Sequence, residues 1–476
     1  MNKADPYRCG MEEIWKRQIG ETSPRTFAHR IGGSQDLIQR LELSVKLGKH
    51  RGCVNTVHFN PAGDLLVSGS DDREIIIWDW AAGKKKLSFN SRHTNNIFQA
   101  RIMPFTDDCC IVSCAADGQV RSSEVREDGR VDTKKIGKHH GRAHKLAIEP
   151  GSPHIFYSCG EDGVVQHFDL RSQPTKLFTC HAFYANGSHY DSSLVRLNAI
   201  TIDPRNPNCF AIGGSDEYAR VYDIRKYRWD ASSNEDRPVN SFSPSHLIGN
   251  DSVHITDLAY SNQGELLVSY NDELIYLFQR EMGLGPNPNS VSSEMPKEME
   301  AQVYEGHRNA RTVKGVNFFG PNTEYVISGS DCGRIFIWKK KGGQLVHLMQ
   351  GDKLAVNCLE PHPHTTILAT SGIEKTIKIW APTAKHRLSL PDDAEELMKA
   401  NKRKREEYAR VSFPTEVIRH VLRLQRRHYE PDVERRHSRA EYEGEDDDDY
   451  AMDFTTDGDY SSEDDNHLNP RDCIIS

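Results

Sequence analysis

Residues 54–80 read VNTVHFNPAGDLLVSGSDDREIIIWDW and decide the fold of this chain. Three runs rich in apolar and β-branched residues are separated by two turn sequences, NPAGD at 60–64 and SGSDD at 68–72. Short runs of this kind bounded by Gly, Pro, Asn and Asp are typical of antiparallel strands. The stretch therefore predicts three strands of a small antiparallel sheet, the third of which ends near Trp78.

The same pattern recurs along the middle of the chain. Each of seven copies has a small-residue turn, which we place at Asp71, Asp117, Asp162, Asp216, Asp272, Asp331 and Ile373. The third strand of each copy then ends near Trp78, Ser123, Phe168, Tyr222, Phe278, Trp338 and Trp380, positions that lie 42 to 60 residues apart. Multi-stranded repeats of this length are typical of propeller blades. The sequence predicts an all-β, seven-bladed β-propeller.

These copies resemble the WD-repeat family in individual residues as well as in period. The matching residues are His50, Ser70, Asp71 and Trp78 in the first copy, and His307, Ser330, Asp331 and Trp338 in the sixth. The resemblance implies a WD-repeat propeller in which these groups form a hydrogen-bonded network inside a blade. An Asp at a tight turn can accept from backbone N–H groups and from His, so the network is physically reasonable.

The repeats and their flanks predict four regions. They are an N-terminal helical extension (1–40), the propeller (41–381), a helical basic segment (382–440) and a disordered acidic tail (441–476). Residues 41–47 alternate with period two and are expected to complete the seventh blade, which otherwise lacks a strand; an independent strand or helix is the alternative. Insertions at 183–194, 227–251 and 282–301 are expected to be polar surface loops.

The formal net charge of −8 has its origin in the tail. Residues 441–476 hold fourteen acids and one base, a sum of −13, so the rest of the chain carries +5. A segment so acidic and so poor in apolar groups is expected to be disordered.

The basic run Lys402, Arg403, Lys404 and Arg405 is either a solvated helix end or a nuclear-localisation signal, and we expect a nuclear and/or cytoplasmic protein.

Both flanks contain helix candidates with an apolar face. Residues 11–19 include Ile14 and Trp15, and Trp15 either packs on the propeller or docks on a partner. In residues 413–424 the apolar positions have helical spacing opposite several arginines. That segment either packs on the propeller or binds nucleic acid or an acidic partner.

The sequence offers no catalytic, cofactor or metal motif. It contains no GxxxxGK[ST], GxSxG or HExxH sequence and no protein-kinase motif set. The adjacent His139 and His140, and His362 with His364, have no carboxylate or cysteine at ligand spacing. No apolar stretch approaches the length of a membrane span. We therefore expect a non-enzyme without a cofactor, a metal or a membrane segment.

A tandem motif stands at the ends of the third and fourth copies. They close with Phe168-Asp169-Leu170-Arg171 and with Tyr222-Asp223-Ile224-Arg225. Two consecutive copies would place Arg171 and Arg225 about one blade apart on the same rim. The planar guanidinium is suited to carboxylates and carbonyls on a partner surface. The alternative is that both arginines are plain surface cations.

The tandem motif resembles that of the WD-repeat proteins that dock on the damaged-DNA-binding adaptor of cullin 4 ubiquitin ligases. The sequence at 39–43 and 50–60 is also similar to the eighth factor of that group. The resemblance implies that Asp169, Arg171, Asp223 and Arg225 dock on the adaptor, together with a helical segment containing Ile14 and Trp15. The sequence departs from the family pattern in having Phe or Tyr before each Asp, and the first copy has no Arg.

The resemblance implies a substrate-recognition subunit of a cullin 4-based E3 ligase. Its partners would be the adaptor, damaged-DNA-binding protein 1, and a protein substrate that the sequence does not name. A chromatin- or histone-binding WD-repeat scaffold without ligase association is the alternative. Direct nucleic-acid binding through residues 402–428 is the least favoured, because this stretch has no basic face interleaved with aromatic residues.

Overall fold

The computed structural model describes residues 10–182, 194–227, 236–250, 252–288 and 300–411. The acidic tail at 441–476, the amphipathic segment at 413–424 and most of the insertions at 183–194 and 282–301 lie outside the described residues. Of the insertion at 227–251, residues 236–250 are described, and the prediction of a surface loop is wrong for Asn240–Phe242, which form a strand paired with Ala219–Val221. In the described part, seven four-stranded antiparallel sheets follow one another along the chain. This confirms the predicted seven-bladed β-propeller.

Blades 1 to 4 are built from consecutive strands. Blade 1 contains β2 (Val54–Phe59), β3 (Leu66–Ser70), β4 (Glu74–Asp79) and β5 (Lys84–Asn90). Blade 2 contains β6 (Ile97–Ile102), β7 (Cys110–Ala115), β8 (Gln119–Val125) and β9 (Val131–Lys138). Blade 3 contains β10 (Ala143–Ile148), β11 (Ile155–Gly160), β12 (Val164–Asp169) and β13 (Thr175–Thr179). Blade 4 contains β14 (Leu197–Ile202), β15 (Cys209–Gly214), β16 (Ala219–Asp223) and β17 (Asn240–Phe242).

Blades 5 and 6 follow the same order, and blade 7 closes the ring. Blade 5 contains β18 (Ile255–Tyr260), β19 (Leu266–Tyr270), β20 (Ile275–Phe278) and β21 (Gln302–Tyr304). Blade 6 contains β22 (Val316–Phe319), β23 (Tyr325–Ser328), β24 (Arg334–Lys339) and β25 (Leu345–Gln350). Blade 7 contains β26 (Val356–Pro361), β27 (Leu368–Gly372), β28 (Ile377–Ala381) and, as its outer strand, β1 (Glu42–Leu47).

The pairing of β1 with β28 confirms the closure that the alternating residues 41–47 predict. Glu42 lies opposite Ala381, and Leu47, which is buried, lies opposite Ile377. The N-terminal strand thus covers the edge that the last strand of the repeat would otherwise expose. Large apolar clusters fill the seven spaces between neighbouring blades, as expected for sheets with two covered faces.

The antiparallel order gives the ring two distinct faces. The turns between first and second strands, and between third and fourth strands, lie on one side, which we call the lower face; in blade 1 these are residues 60–65 and 80–83. The turns between second and third strands and the connections between blades lie on the opposite side, which we call the upper face. The WD-type networks and the tandem motif therefore occupy different faces.

Helices α1 (Gly10–Gln18), α2 (Pro24–Gly32) and α3 (Gln35–Ile38) form the N-terminal extension. The Gly33 carbonyl accepts from Tyr325 Oη at 3.1 Å, and the Gly32 carbonyl accepts from Thr366 Oγ1 at 2.9 Å. Because Tyr325 and Thr366 adjoin the first turns of blades 6 and 7, the extension contacts the lower-face side of these blades. Ile38 is fully buried between them.

Helix α4 (Ala394–Val411) packs on the upper face at blade 6. Asn401 Nδ2 donates to the Gly306 carbonyl at 2.8 Å. Gly306 has φ +100°, a conformation that favours glycine, and a Cβ there would lie 2.6 Å from Met398 Cε, so that the methionine side chain would have to move. None of the helices in the described residues is long and apolar enough to cross a membrane.

Candidate docking site on the lower face

The tandem motif forms the same structure in blades 3 and 4. Arg171 Nε and Nη2 donate to the two carboxylate oxygens of Asp169 at 2.9 and 2.8 Å. Arg225 does the same to Asp223, at 2.9 and 2.6 Å. Each Asp also accepts from the backbone N–H of its Arg at 3.0 Å. Both motifs lie where the third strand ends, on the lower face, and we call these two pairs the arginine forks.

The forks are exposed and permanently charged. The side chains of Arg171 and Arg225 are 64% and 63% exposed. The hydrogen bonds from Arg171 lower the pKa of Asp169 to about 2, and those from Arg225 lower the pKa of Asp223 below its ordinary value. The same contacts raise the pKa of each arginine. Near neutral pH each fork therefore presents an oriented, ionised pair to solvent.

The contacts within each fork reduce the number of guanidinium donors that are open to a partner. The sequence leads us to expect a guanidinium whose forked donors are open to a partner, but Nε and one Nη2 hydrogen are already used by the preceding Asp. Nη1 and the second Nη2 hydrogen remain for another acceptor, since a guanidinium carries five N–H groups. Fixing the side chain in advance lowers the entropy that is lost when a partner binds it.

The N-terminal helix α1 carries an exposed apolar patch. Trp15 is 57% exposed, and Ile14 and Ile19 are exposed beside it. Of the two alternatives for Trp15, packing on the propeller is therefore not what the structure shows. Helix α1 is joined to α2 by an ion pair between Arg30 and Glu13 of 3.2 Å. The end of α2 contacts blades 6 and 7, whereas the forks are on blades 3 and 4.

The WD-type network of blade 1 uses different residues from those predicted. His50 Nδ1 contacts Asp72 Oδ2 at 2.9 Å, His50 Nε2 contacts Ser68 Oγ at 2.8 Å, and Trp78 Nε1 donates to Ser68 Oγ at 2.8 Å. Ser70 and Asp71 were the wrong assignments. Ser70 Oγ accepts from the Asp72 N–H, and Asp71 accepts from Asn55 Nδ2.

This network is buried and keeps Asp72 ionised. Burial alone would raise the pKa of Asp72, but hydrogen bonds from His50 and from the Arg51 N–H lower it below the ordinary value. Because a carboxylate only accepts, His50 donates from Nδ1 and in its neutral form accepts from Ser68 at Nε2. One chain of hydrogen bonds thus runs from the blade core to the upper face, through Trp78, Ser68, His50 and Asp72.

Replacing Ser68 by alanine is expected to lower the free energy of unfolding by about 1–3 kcal/mol, because His50 and Trp78 both lose a buried partner. Ser70→Ala is the matched control, and its loss should be about 0.5–1 kcal/mol, since Ser70 Oγ accepts one weaker bond from Asp72 N–H. Urea denaturation of both variants measures the difference. If Ser70→Ala lowered the free energy of unfolding as much as Ser68→Ala or more, the assignment of Ser68 to the network would be contradicted.

Blade 6 lacks the predicted network altogether. Trp338 Nε1 donates to the Glu305 carbonyl at 3.0 Å, and Asp331 pairs with the buried Lys314 at 2.5 Å. Burial lowers the pKa of His307 to about 3, so its ring is neutral, and it meets Trp338 edge-on with ring centroids 5.8 Å apart. The physical reason is that Cys332 occupies the position held by Asp72 in blade 1.

Sequence reasoning missed equivalent networks in two other blades. In blade 2, His93 contacts Asp117 at 3.1 Å and Ser113 at 3.0 Å; in blade 3, His139 contacts Asp162 at 2.9 Å and Ser158 at 2.7 Å. A constant spacing could have found them. The network position lies six residues before Trp78 and before its equivalent in every other copy, at Asp72, Asp117, Asp162, Asp216, Asp272, Cys332 and Glu374.

The histidines considered as metal ligands and the basic run at 402–405 are the remaining candidates from the sequence. His362 Nε2 donates to the Gly63 carbonyl at 2.8 Å, and its Nδ1 accepts from the His364 and Thr365 N–H groups at 3.1 Å. No group of His, Cys, Asp or Glu in the described part of the chain could hold a metal ion. The basic run lies within α4, where Lys402, Arg403 and Lys404 are exposed and Arg405 is half-buried.

Three segments of the chain match the family model described as "WD domain, G-beta repeat", at residues 41–79, 299–339 and 343–381. The chain is 34% identical to "DDB1- and CUL4-associated factor 6" from Homo sapiens over 58% of its length, which covers 33% of that relative. It therefore spans about a third of that relative.

Two other relatives are similar to more than half of this chain. The chain is 23% identical to "WD and tetratricopeptide repeats protein 1" from Homo sapiens, over 78% of this chain and 89% of that protein. It is 34% identical to "Protein ALTERED SEED GERMINATION 2" from Arabidopsis thaliana, over 54% of this chain and 38% of that protein. The chain is thus a seven-bladed WD-repeat β-propeller similar to a protein named as a DDB1- and CUL4-associated factor.

Proposed function

We propose that this chain is the substrate-recognition subunit of a cullin 4-based E3 ubiquitin ligase. It docks on the adaptor, damaged-DNA-binding protein 1, through the arginine forks, and the rest of the propeller binds a protein substrate. Within the group of such factors we infer that it is most like the eighth. The observation that carries the proposal is the pair of identical, exposed forks on adjacent blades of one face.

The proposed mechanism is geometric rather than chemical. A receptor that holds the adaptor with one surface and a substrate with another raises the effective concentration of substrate lysines near the charged ubiquitin carrier. The lower face supplies the forks, and the upper face and the rim are left for a substrate. No catalytic group of this chain is needed for such a role.

The forks are suited to docking because of their rigidity. An exposed arginine usually loses side-chain entropy when a partner fixes it, whereas Arg171 and Arg225 are already fixed by two-point contacts. Arginines are also enriched among the residues that dominate protein–protein interfaces.

The exposed lysines of α4 are accessible to an import receptor, which agrees with our proposal of a nuclear and/or cytoplasmic protein.

Affinity purification from cells tests the proposal. The wild-type chain is expected to recover the adaptor, cullin 4 and candidate substrates, and the double variant Arg171→Ala/Arg225→Ala is expected to recover neither ligase subunit. Recovery of histones without the adaptor, lost on deletion of residues 441–476, would favour the chromatin scaffold instead. Equal recovery of the adaptor by wild type and variant would overturn docking through the forks.

A further inference from the structure

Blade 2 carries an aromatic side chain that the fold does not use. Phe105 is 78% exposed, more than any other large hydrophobic residue in the described ranges. It lies in the turn between β6 and β7, and this turn belongs to the lower face. Its exposure therefore places an apolar ring on the same face as the arginine forks.

The backbone at Phe105 is in a conformation that its side chain disfavours. Phe105 has φ +57°, and Asp107 and Asp108 follow with φ +49° and +58°. Positive φ is readily adopted by Gly and tolerated by Asn, but it is a genuine outlier for a bulky residue. A phenylalanine that is 78% exposed contributes little to the apolar core, and its ring is therefore available to a partner.

The turn is nevertheless held in place. Thr106 Oγ1 donates to the Met103 carbonyl at 2.7 Å, and the Cys109 N–H donates to the Thr106 carbonyl at 2.9 Å. Asn60 Nδ2 from blade 1 donates to Asp108 Oδ2 at 2.9 Å. These contacts present the ring on a fixed support, which reduces the entropy lost when a partner covers it.

A third arginine lies beside this turn. The strand registers pair Glu124 with Cys110, Asp169 with Ile155, and Asp223 with Cys209, so the three acids hold equivalent positions in blades 2, 3 and 4. Arg126 follows Glu124 by two residues, as Arg171 and Arg225 follow their acids.

Arg126 is anchored differently but equally exposed. It pairs with Asp132 of β9 instead of Glu124, and its side chain is 61% exposed. The neighbouring Val125 N–H donates to the Cys109 carbonyl at 2.8 Å, which joins the two lower-face turns of blade 2. Three consecutive blades therefore carry an exposed, ion-paired arginine at the same place.

We propose that the docking surface extends onto blade 2, where Phe105 enters an apolar pocket of the adaptor and Arg126 faces its acidic rim. The inference rests on the proposed function, because the same partner binds the forks of blades 3 and 4. Three cations on consecutive blades fit a partner surface that bears carboxylates, and aromatic residues and arginine are enriched in protein–protein interfaces.

The test is a set of binding titrations of the full chain against the purified adaptor. Phe105→Asn removes the ring while Asn tolerates the backbone, so affinity should fall by about tenfold or more, with a melting temperature equal to or above that of wild type. Phe105→Tyr keeps the ring and should bind within about twofold of wild type. Arg126→Ala should weaken binding by about three- to tenfold.

Matched controls lie on the upper face, where Leu354→Ser and Arg92→Ala each remove an exposed side chain of similar type. Both should bind like wild type. Wild-type affinity in Phe105→Asn and Arg126→Ala, together with lost affinity in Arg171→Ala/Arg225→Ala, would overturn this inference and leave the proposed function standing. No binding by the wild-type chain would overturn both.

Discussion

Replacing Arg220 by alanine is expected to lower the free energy of unfolding by about 3–5 kcal/mol. The Arg220 side chain, on β16, is fully buried and donates to both carboxylate oxygens of Asp216 at 3.0 and 2.5 Å. It also donates to the Tyr218 and His181 carbonyls at 3.3 and 3.5 Å. Alanine would leave the Asp216 charge without this cation and open a cavity in blade 4. Equilibrium denaturation in urea measures the loss.

Arg225→Ala is the matched control for this prediction. Arg225 makes the same two-point contact with Asp223, five residues further along the chain, but on the surface. Exposed ion pairs contribute little to stability, so its denaturation midpoint should not move measurably. A midpoint for Arg220→Ala equal to that of Arg225→Ala would mean that the buried pair does not hold blade 4 together.

Replacing both Arg171 and Arg225 by alanine is expected to weaken adaptor binding by more than about 100-fold, and each single replacement by about tenfold. Each change removes the donors that face the partner and leaves Asp169 or Asp223 as an uncompensated negative charge on the docking surface. Isothermal titration of the purified proteins measures the affinities. Unchanged melting temperatures should accompany the loss, because both arginines are exposed.

The variant Arg171→Lys/Arg225→Lys separates geometry from charge. A lysine keeps the positive charge but has no planar fork, so it cannot hold its Asp at two points and still offer oriented donors to a partner. We expect it to lose most of the affinity that the alanine variant loses. Wild-type affinity in the lysine variant would show that charge alone is recognised and that the orientation of the forks has no role.

Much of the fold follows from patterns that a single sequence carries. Seven copies of a turn followed by a β-branched run, six of them ending in an aromatic residue, are enough to predict seven blades, and the period-two residues 41–47 are enough to predict the closing strand β1. Both depend only on hydrophobic periodicity and on the need to cover a sheet edge.

The networks inside the blades were harder to assign, because adjacent residues compete for one role. In blade 1 the sequence offers Ser68 or Ser70 and Asp71 or Asp72, and only the hairpin register decides that Ser68 and Asp72 face His50. The six-residue spacing before Trp78 contains that information, but it becomes visible only when all seven copies are compared.

The residues of the arginine forks could be picked out from the sequence, but their geometry could not. The tandem motif identifies Arg171 and Arg225, whereas the contacts that fix each guanidinium on its own Asp depend on the turn after the third strand. Arg126 is not part of a recognisable motif, because Ser123 and Glu124 replace the aromatic and the Asp. The positive φ of Phe105 has no signature in the residues around it.

The most direct test of the central claim is one titration, of the purified wild-type chain against the purified adaptor, alongside Arg171→Ala/Arg225→Ala. We predict a one-to-one complex with the wild type and at least about a 100-fold weaker complex with the variant, at equal melting temperatures. No complex with the wild type, or equal affinity for both proteins, would contradict the account.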